Sequence, residues 1–190
     1  MAENFDRGDF DAFWDDWVEA NRECERAGDW GPLADFYEPD ATYGYSYAAD
    51  DQYMNVGREE IRAGVLGLEM LGFQGWAYPY QAILFDERCG QAYGFWRQRT
   101  KFDGPAGTPY EVKGLGGSWF QYSGHRSWAW QRDMFDVAVA TSAMLDVLRD
   151  GKNSPQLDER MKLIAAGSIP GHSSFADMRA PLWPVPPVLS

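Results

Sequence analysis

Histidine and cysteine are scarce in this 190-residue chain, which has two of each: His125, His172, Cys24 and Cys89. No cluster of them has metal-site spacing, so no metal is expected. The cysteines lie far apart and read as free thiols in a reducing cytosol, which makes a cytoplasmic protein the expectation. Basic residues are short too, with 17 Lys and Arg against 29 Asp and Glu and a net charge of −12. Phosphate binding needs a basic face, so nucleic acid is excluded as a partner. An anionic membrane surface is excluded on the same ground. No apolar run is long enough to span a bilayer. Met1-Ala2-Glu3-Asn4-Phe5-Asp6-Arg7 has no apolar signal-peptide core. There is no G-x-S-x-G nucleophile elbow. Gly114-Leu115-Gly116-Gly117 is followed by no helix and is not a dinucleotide loop, so no cofactor is expected.

Aromatics, by contrast, are abundant: nine Trp, ten Tyr and eleven Phe make up 16% of the chain. Such side chains fill cores and line pockets for apolar ligands. Phe10, Phe13, Trp14, Trp17, Asn21, Cys24 and Ala27 recur at helical spacing and predict a helix stopped by Gly28. A short helix, Trp30 to Tyr37, follows, with Asp29 as its cap. Thr42 to Tyr47 reads as a strand with Tyr43, Tyr45 and Tyr47 on one face. A second long helix opens at Val56 and buries Ile61, Val65 and Leu68, while Asp50-Asp51 reads as loop. Four strand-like runs come next: Trp76 to Phe85, Ala92 to Phe102, Tyr110 to Tyr122 and Ser127 to Phe135. Turn signals between them predict an antiparallel meander. Glycines inside these runs mark bends in a curving sheet. Val137 to Leu148 and a segment capped by Ser154-Pro155 and ended by Gly167 are helical. Pro181-Leu182-Trp183-Pro184-Val185-Pro186-Pro187 makes an extended tail. The expected organisation is one α+β domain over residues 1–150 and a helical, proline-rich C-terminal extension over 151–190.

Four segments carry a resemblance: Ala27-Gly28-Asp29-Trp30, Phe36-Tyr37-Glu38-Pro39-Asp40-Ala41-Thr42, Gly57-Arg58-Glu59-Glu60-Ile61 and Arg132-Asp133-Met134-Phe135-Asp136. Their order over roughly residues 8 to 150 resembles the nuclear transport factor 2-like family, also called polyketide-cyclase-like or ketosteroid-isomerase-like. The resemblance implies a conical, curved sheet and N-terminal helices around an apolar pocket, and it implies a homodimer. Members include isomerases, dehydratases, cyclases, epoxide hydrolases, formaldehyde-releasing lyases acting on lignin-type dimers, and proteins with no chemistry. Trp130 to Asp136 resembles the end of limonene epoxide hydrolase. That likeness places a catalytic acid or base at Asp133, a catalytic arginine at Arg97 and a water-positioning tyrosine at Tyr43. The second catalytic carboxylate of that enzyme falls on Arg99, and its water-holding asparagine on Tyr45, so its route is broken. The ketosteroid isomerase base also falls on Tyr45, with its oxyanion-hole residues near Asn21 and Ser118. His125 and His172 lie outside the positions that scytalone dehydratase chemistry needs.

Strand parity puts Gln131, Asp133 and Phe135 on one face, and Arg97 with Arg99 on another strand's face. Two inter-strand steps, about 10 Å, separate Arg97 from Asp133, and their side chains can close that gap. The candidate catalytic group is then Asp133 as acid or base, Arg97 as electrostatic stabiliser, and Tyr43 and Tyr45 as orienting donors. Trp17, Asn21, Arg99, Tyr47, Gln131 and Phe135 are the candidate substrate contacts. Three readings stay open. The preferred one is a cofactor-independent lyase, dehydratase, isomerase or hydrolase acting on a hydrophobic, aromatic or polycyclic small molecule. The second is a non-catalytic binder of such ligands, with Asp133–Arg97 an ion pair that fixes register and Asn21 a satisfied buried amide. The third is a protein-association module.

Overall fold

A computed structural model describes residues 5–167 and 169–184. Helix α1, Arg7–Ala27, begins where Asp6 accepts the Asp9 N–H at 2.7 Å and ends at Gly28, whose φ is +71°. A left-handed residue here turns the next peptide back, so that the Asp29 N–H reaches Cys24 O at 3.2 Å. Phe10, Phe13, Trp14, Trp17 and Cys24 are buried along the stripe that helical spacing predicts. Ala27 is exposed and Asn21 half-buried. The following turn, Gly31–Phe36, is a tighter 3₁₀ helix, and Asp29 accepts its Gly31 N–H at 2.9 Å.

Strand β1 runs Tyr37–Ala48 and is longer than its sequence pattern shows. It turns into β2, Asp51–Val56, which the reading of Asp50-Asp51 as loop missed. Gln52 and Asn55 hide that strand because both are buried polar residues and blur the apolar alternation. The second helix is shorter than expected. Helix α2, Arg58–Ala63, passes into a wide turn, Gly64–Leu68, closed by the Glu69 N–H on Gly64 O at 3.0 Å. The extra residue in that turn shifts the helical register. Leu66 is therefore buried in place of Leu68, and Glu69 is turned into the core. Gly64 permits the approach: a Cβ there would stand 2.5 Å from Asn55 Oδ1.

The four expected strand runs are each present, but three are broken. Trp76 to Phe85 becomes β3, Trp76–Ala77, and β4, Tyr80–Asp86. Ala92 to Phe102 becomes β5, Gln91–Trp96, and β6, Arg99–Asp103. Tyr110 to Tyr122 becomes β7, Pro109–Glu111, and β8, Gly116–Tyr122. Only β9, Trp128–Phe135, stays whole. Helix α3, Val137–Arg149, is capped by Asp136, and α4, Pro155–Ala165, by Ser154. A last strand, β10, is His172–Ser173. The main sheet has the order β10-β2-β1-β9-β8-β5-β4, and a small sheet has β3-β6-β7. The meander β4-β5-β8-β9 is antiparallel, whereas β1 joins β9 in parallel. Glycines let the sheet curve tightly: a Cβ on Gly116 would run into the Trp96 ring, and one on Gly117 would fall 2.5 Å from the Tyr93 ring.

The aromatic core fills the concave side against α1. Phe120 stacks on Trp128 at 4.3 Å, Phe13 meets Trp128 at 4.6 Å and Phe10 stacks on Phe85 at 3.7 Å. Residues after 150 pack on both faces of the sheet. Leu157 and Ile169 are buried. Arg132 donates to the carbonyls of Pro181 and Leu182, each at 2.9 Å, and Trp183 packs 5.0 Å from Trp119. Of the expected proline-rich tail, residues 185–187 lie outside the described residues.

Candidate functional site

A cavity of about 310 Å³ lies inside the curve of the sheet, walled by α1, the Gly64–Leu68 turn, α3 and α4. Strand parity brings Tyr43, Tyr45 and Tyr47 to it from β1, and Gln131, Asp133 and Phe135 from β9. Trp17 and Asn21 reach it from α1. Asn21 donates to its own helix at Trp17 O, 2.8 Å away, as a satisfied amide does.

Arg97 and Arg99 are not part of the cavity. Both are exposed, and Arg97 donates to Glu111 Oε1 at 2.5 Å. The expected closure of Arg97 onto Asp133 is not formed. Parity counting from β5 fails because that strand ends at Trp96, and the chain then crosses to the small sheet. The cation that acts on Asp133 is its neighbour Arg132. That guanidinium lies with the Thr42 carbonyl at 3.1 Å and the tail carbonyls, and burial pushes its pKa down to about 10.

Asp133 is the centre of the first polar group. Its Oδ2 accepts from Tyr43 Oη at 2.5 Å, and its Oδ1 accepts from Ser118 Oγ at 2.6 Å and Gln131 Nε2 at 2.8 Å. Each donor is itself oriented. Tyr37 donates to Gln131 Oε1, and Trp96 Nε1 donates to Ser118 Oγ at 2.9 Å. Burial raises the Asp133 pKa above the ordinary aspartate value, against the opposing pull of these three hydrogen bonds and of Arg132. Burial, then the Asp133 charge, hold the Tyr43 pKa well above its usual value, so that hydroxyl is a neutral donor.

A second polar group lies in the same cavity and was missed in the sequence. Glu69 Oε2 accepts from Tyr45 Oη and from Arg160 Nη2, both at 2.8 Å. His172 Nε2 stands 3.7 Å from Glu69 Oε1, and His172 Nδ1 lies 2.8 Å from Asp51 Oδ1. Tyr45 therefore serves Glu69 rather than Asp133. Burial works to raise the Glu69 pKa, but His172, Arg160 and Tyr45 outweigh it and lower the value to about 2. One sequence signal marks this group: Leu157, Arg160 and Ile164 share a helical stripe, so a cation sits on an apolar face. Another is Glu69 itself, which follows the run Gly64-Val65-Leu66-Gly67-Leu68.

One cavity thus holds two carboxylates driven in opposite directions, with Asp133 held toward the neutral form and Glu69 toward the ion. Such divergence separates an acid–base role from a fixed-charge role.

Among solved structures, a nuclear transport factor 2-like protein of unknown function from Burkholderia pseudomallei superposes with a TM-score of 0.50 at 11% identity, over 67% of this chain and 94% of that one. The chain has the nuclear transport factor 2-like fold. Two further likenesses are a nuclear transport factor 2-like protein from Anabaena variabilis (TM-score 0.49, 16% identity, 66% of this chain and 87% of that one) and a steroid delta-isomerase from Pseudomonas aeruginosa (0.48, 12%, 73% and 88%). No protein-family model and no curated protein sequence matches the chain significantly. Among the described residues, no group of His, Cys, Asp and Glu is arranged to hold a metal ion, and no helix is long and apolar enough to cross a membrane.

Proposed function

We propose that the chain is a cofactor-independent enzyme that moves a proton on a hydrophobic, aromatic small molecule, in a lyase, dehydratase, isomerase or hydrolase reaction. The observation that carries this reading is Asp133, a carboxylate of raised pKa on a cavity wall, with neutral Tyr43 as its donor. A raised pKa improves proton exchange with weakly acidic groups. Asp133 takes a proton from a substrate hydroxyl or carbon. Tyr43 and Ser118, already aimed at the carboxylate, follow the charge as it forms on the substrate oxygen. Arg97 has no part in this scheme, since it faces solvent.

The non-catalytic binder is the second reading, favoured by the three donors that already occupy Asp133. Asp133→Asn separates the two. Wild type and variant would be screened with apolar phenols, lignin-type dimers, sterols and epoxides, by thermal shift and then by mass spectrometry for conversion. The catalytic reading expects the variant to keep binding and to lose conversion by about 10²–10⁴-fold. Binding by both with conversion by neither supports the binder. Conversion by both removes Asp133 from the chemistry. We also propose a homodimer through the outer sheet face, where Leu84 and Met134 are exposed; sedimentation at a single mass of one chain would exclude it.

A further inference from the structure

The cavity is open to solvent, and three of its lining residues show where. Thr141, Leu145 and Met161 are exposed, whereas the other described residues that line it are buried or half-buried. Leu145 is 56% and Met161 42% exposed. Thr141 and Leu145 belong to α3 and Met161 to α4, so the mouth lies between these two helices. A single exposed leucine needs no explanation. Two large apolar side chains bordering one opening make an apolar rim, continuous with the cavity wall behind it.

The cavity is also long. Val137, Thr141, Met144 and Leu148 line it at helical spacing, so α3 lies lengthwise along it. At about 1.5 Å per residue that stripe runs roughly 16 Å. The helix starts at the end of β9, where a Cβ on Gly114 would stand 3.1 Å from Asp136, and at its far end Tyr110 donates to Asp150 at 2.6 Å. Ser118 is the residue that bonds Asp133, so α3 follows the chain from 114 back to 110, away from that carboxylate. Leu145 is then roughly 12 Å along the helix from its Asp133 end. Polarity changes over the same distance. Asp133, Ser118, Gln131 and Tyr43 are gathered on the strands at one end. Beyond Thr141, α3 offers the cavity only Met144, Leu145 and Leu148, and Arg160 on α4 is already joined to Glu69.

We propose that the ligand is a phenol-like aromatic head carrying an apolar tail, and that Leu145 and Met161 are the residues that select the tail. The head enters first and sets its oxygen at Asp133. The tail lies along α3 and ends at the mouth, where the two rim side chains close over it. Leucine and the unbranched thioether of methionine adapt to a flexible chain without demanding one shape. This rests on the reading of the Asp133 cavity as the substrate site. It adds that the end remote from the chemistry is chosen by apolar length, with no polar group required there.

The test is calorimetric titration of the full chain with para-ethylphenol, para-butylphenol and para-hexylphenol. Affinity is expected to rise about fourfold per added methylene, the size of one buried CH₂. Leu145→Ala with Met161→Ala, both at exposed helix positions and both to a strong helix former, is expected to flatten that rise from butyl to hexyl. Equal affinity for the three phenols, or an unchanged rise in the double variant, overturns the proposal while leaving the substrate reading in place. Binding of none overturns both. Alkylation then locates the tail. With Cys89→Ser as background, iodoacetamide labelling of Leu145→Cys is expected to be lost under saturating para-hexylphenol and kept under saturating para-ethylphenol. Ser142→Cys, exposed on the same helix and outside the cavity lining, is the control and should label under both. Protection of Leu145→Cys by both phenols alike, or by neither, overturns the proposal. Protection by raised protein concentration without ligand seats a second copy on the rim and also overturns it. Failure of the catalytic reading shows separately, as unchanged turnover in Asp133→Asn with the tail preference intact.

Discussion

Replacing Arg160 by methionine removes one member of a buried ion pair while keeping an unbranched apolar stem in its place. In the native chain the Arg160 and Glu69 side chains are 8% and 5% exposed. Without the guanidinium, Glu69 keeps only the Tyr45 hydroxyl at 2.8 Å and His172 at 3.7 Å. Breaking a buried pair in this way costs about 3–5 kcal/mol, because the remaining charge stays desolvated. The Glu69 pKa gives a second measure. Its net fall from 4.5 to about 2 corresponds to roughly 3 kcal/mol, which is what remains of its partners' pull after burial has opposed it. Since Tyr45 and His172 survive, the low end, about 3 kcal/mol, is the expected loss. For a chain of this size that lowers Tm by about 6–12 °C. The sign of the pH dependence follows from a lowered folded pKa. The Glu69 contribution is complete above its unfolded value of 4.5 and is lost as pH falls toward about 2. In Arg160→Met the acid limb moves to higher pH. Urea denaturation and thermal melts across that range measure both effects. The double variant Glu69→Met with Arg160→Met is expected within about 2 kcal/mol of wild type, because no buried charge is stranded. A loss below about 1 kcal/mol in Arg160→Met, or a double variant worse than the single, would refute the buried-pair account.

Other expectations are independent of that pair. Gly72 has φ +92°, and a Cβ there would stand 2.6 Å from Leu157 N, so Gly72→Ala should displace α4 and cost about 2 kcal/mol or more, read by urea denaturation; an unchanged midpoint would sink this. His172 faces Glu69 and Asp51 between the Tyr47 and Tyr53 rings, and Glu69 first, then Asp51, raise its pKa against burial. Its stabilisation is therefore complete below its unfolded value of 6.5 and lost as pH rises through the higher folded one. His172→Gln should flatten that alkaline limb in melts against pH; an identical limb removes His172 as its source. Cys89 is exposed, whereas Cys24 is buried, with burial pushing its thiol up to about 11. Iodoacetamide should label Cys89 alone in the native chain and both thiols after unfolding, and native labelling of Cys24 would contradict its packing.

Features set by neighbours along the chain are legible in the sequence. The cap at Ser154 is written within three residues of the N–H it serves, at Leu157. The stripe of α1 and the shared face of Tyr43, Tyr45 and Tyr47 follow from helical and strand periods alone. So does the shared face of Gln131, Asp133 and Phe135, which the folded sheet turns into the cavity. What the periods cannot carry is where a strand ends or which distant segment arrives opposite it. Arg97 left the site because β5 stops at Trp96 and the chain changes sheet, so a count of alternation past that point loses its meaning. The Glu69 group needed three separate closures: a widened turn after α2, a helix 91 residues later carrying Arg160, and an edge strand that delivers His172 to β2. The sequence by itself determined the helical stripes, the turns and which residues share a strand face, because these depend on local alternation, caps and turns. The tertiary structure alone decided the opposite polar group, because only packing across long sequence separations places a buried carboxylate beside the cation that keeps it charged.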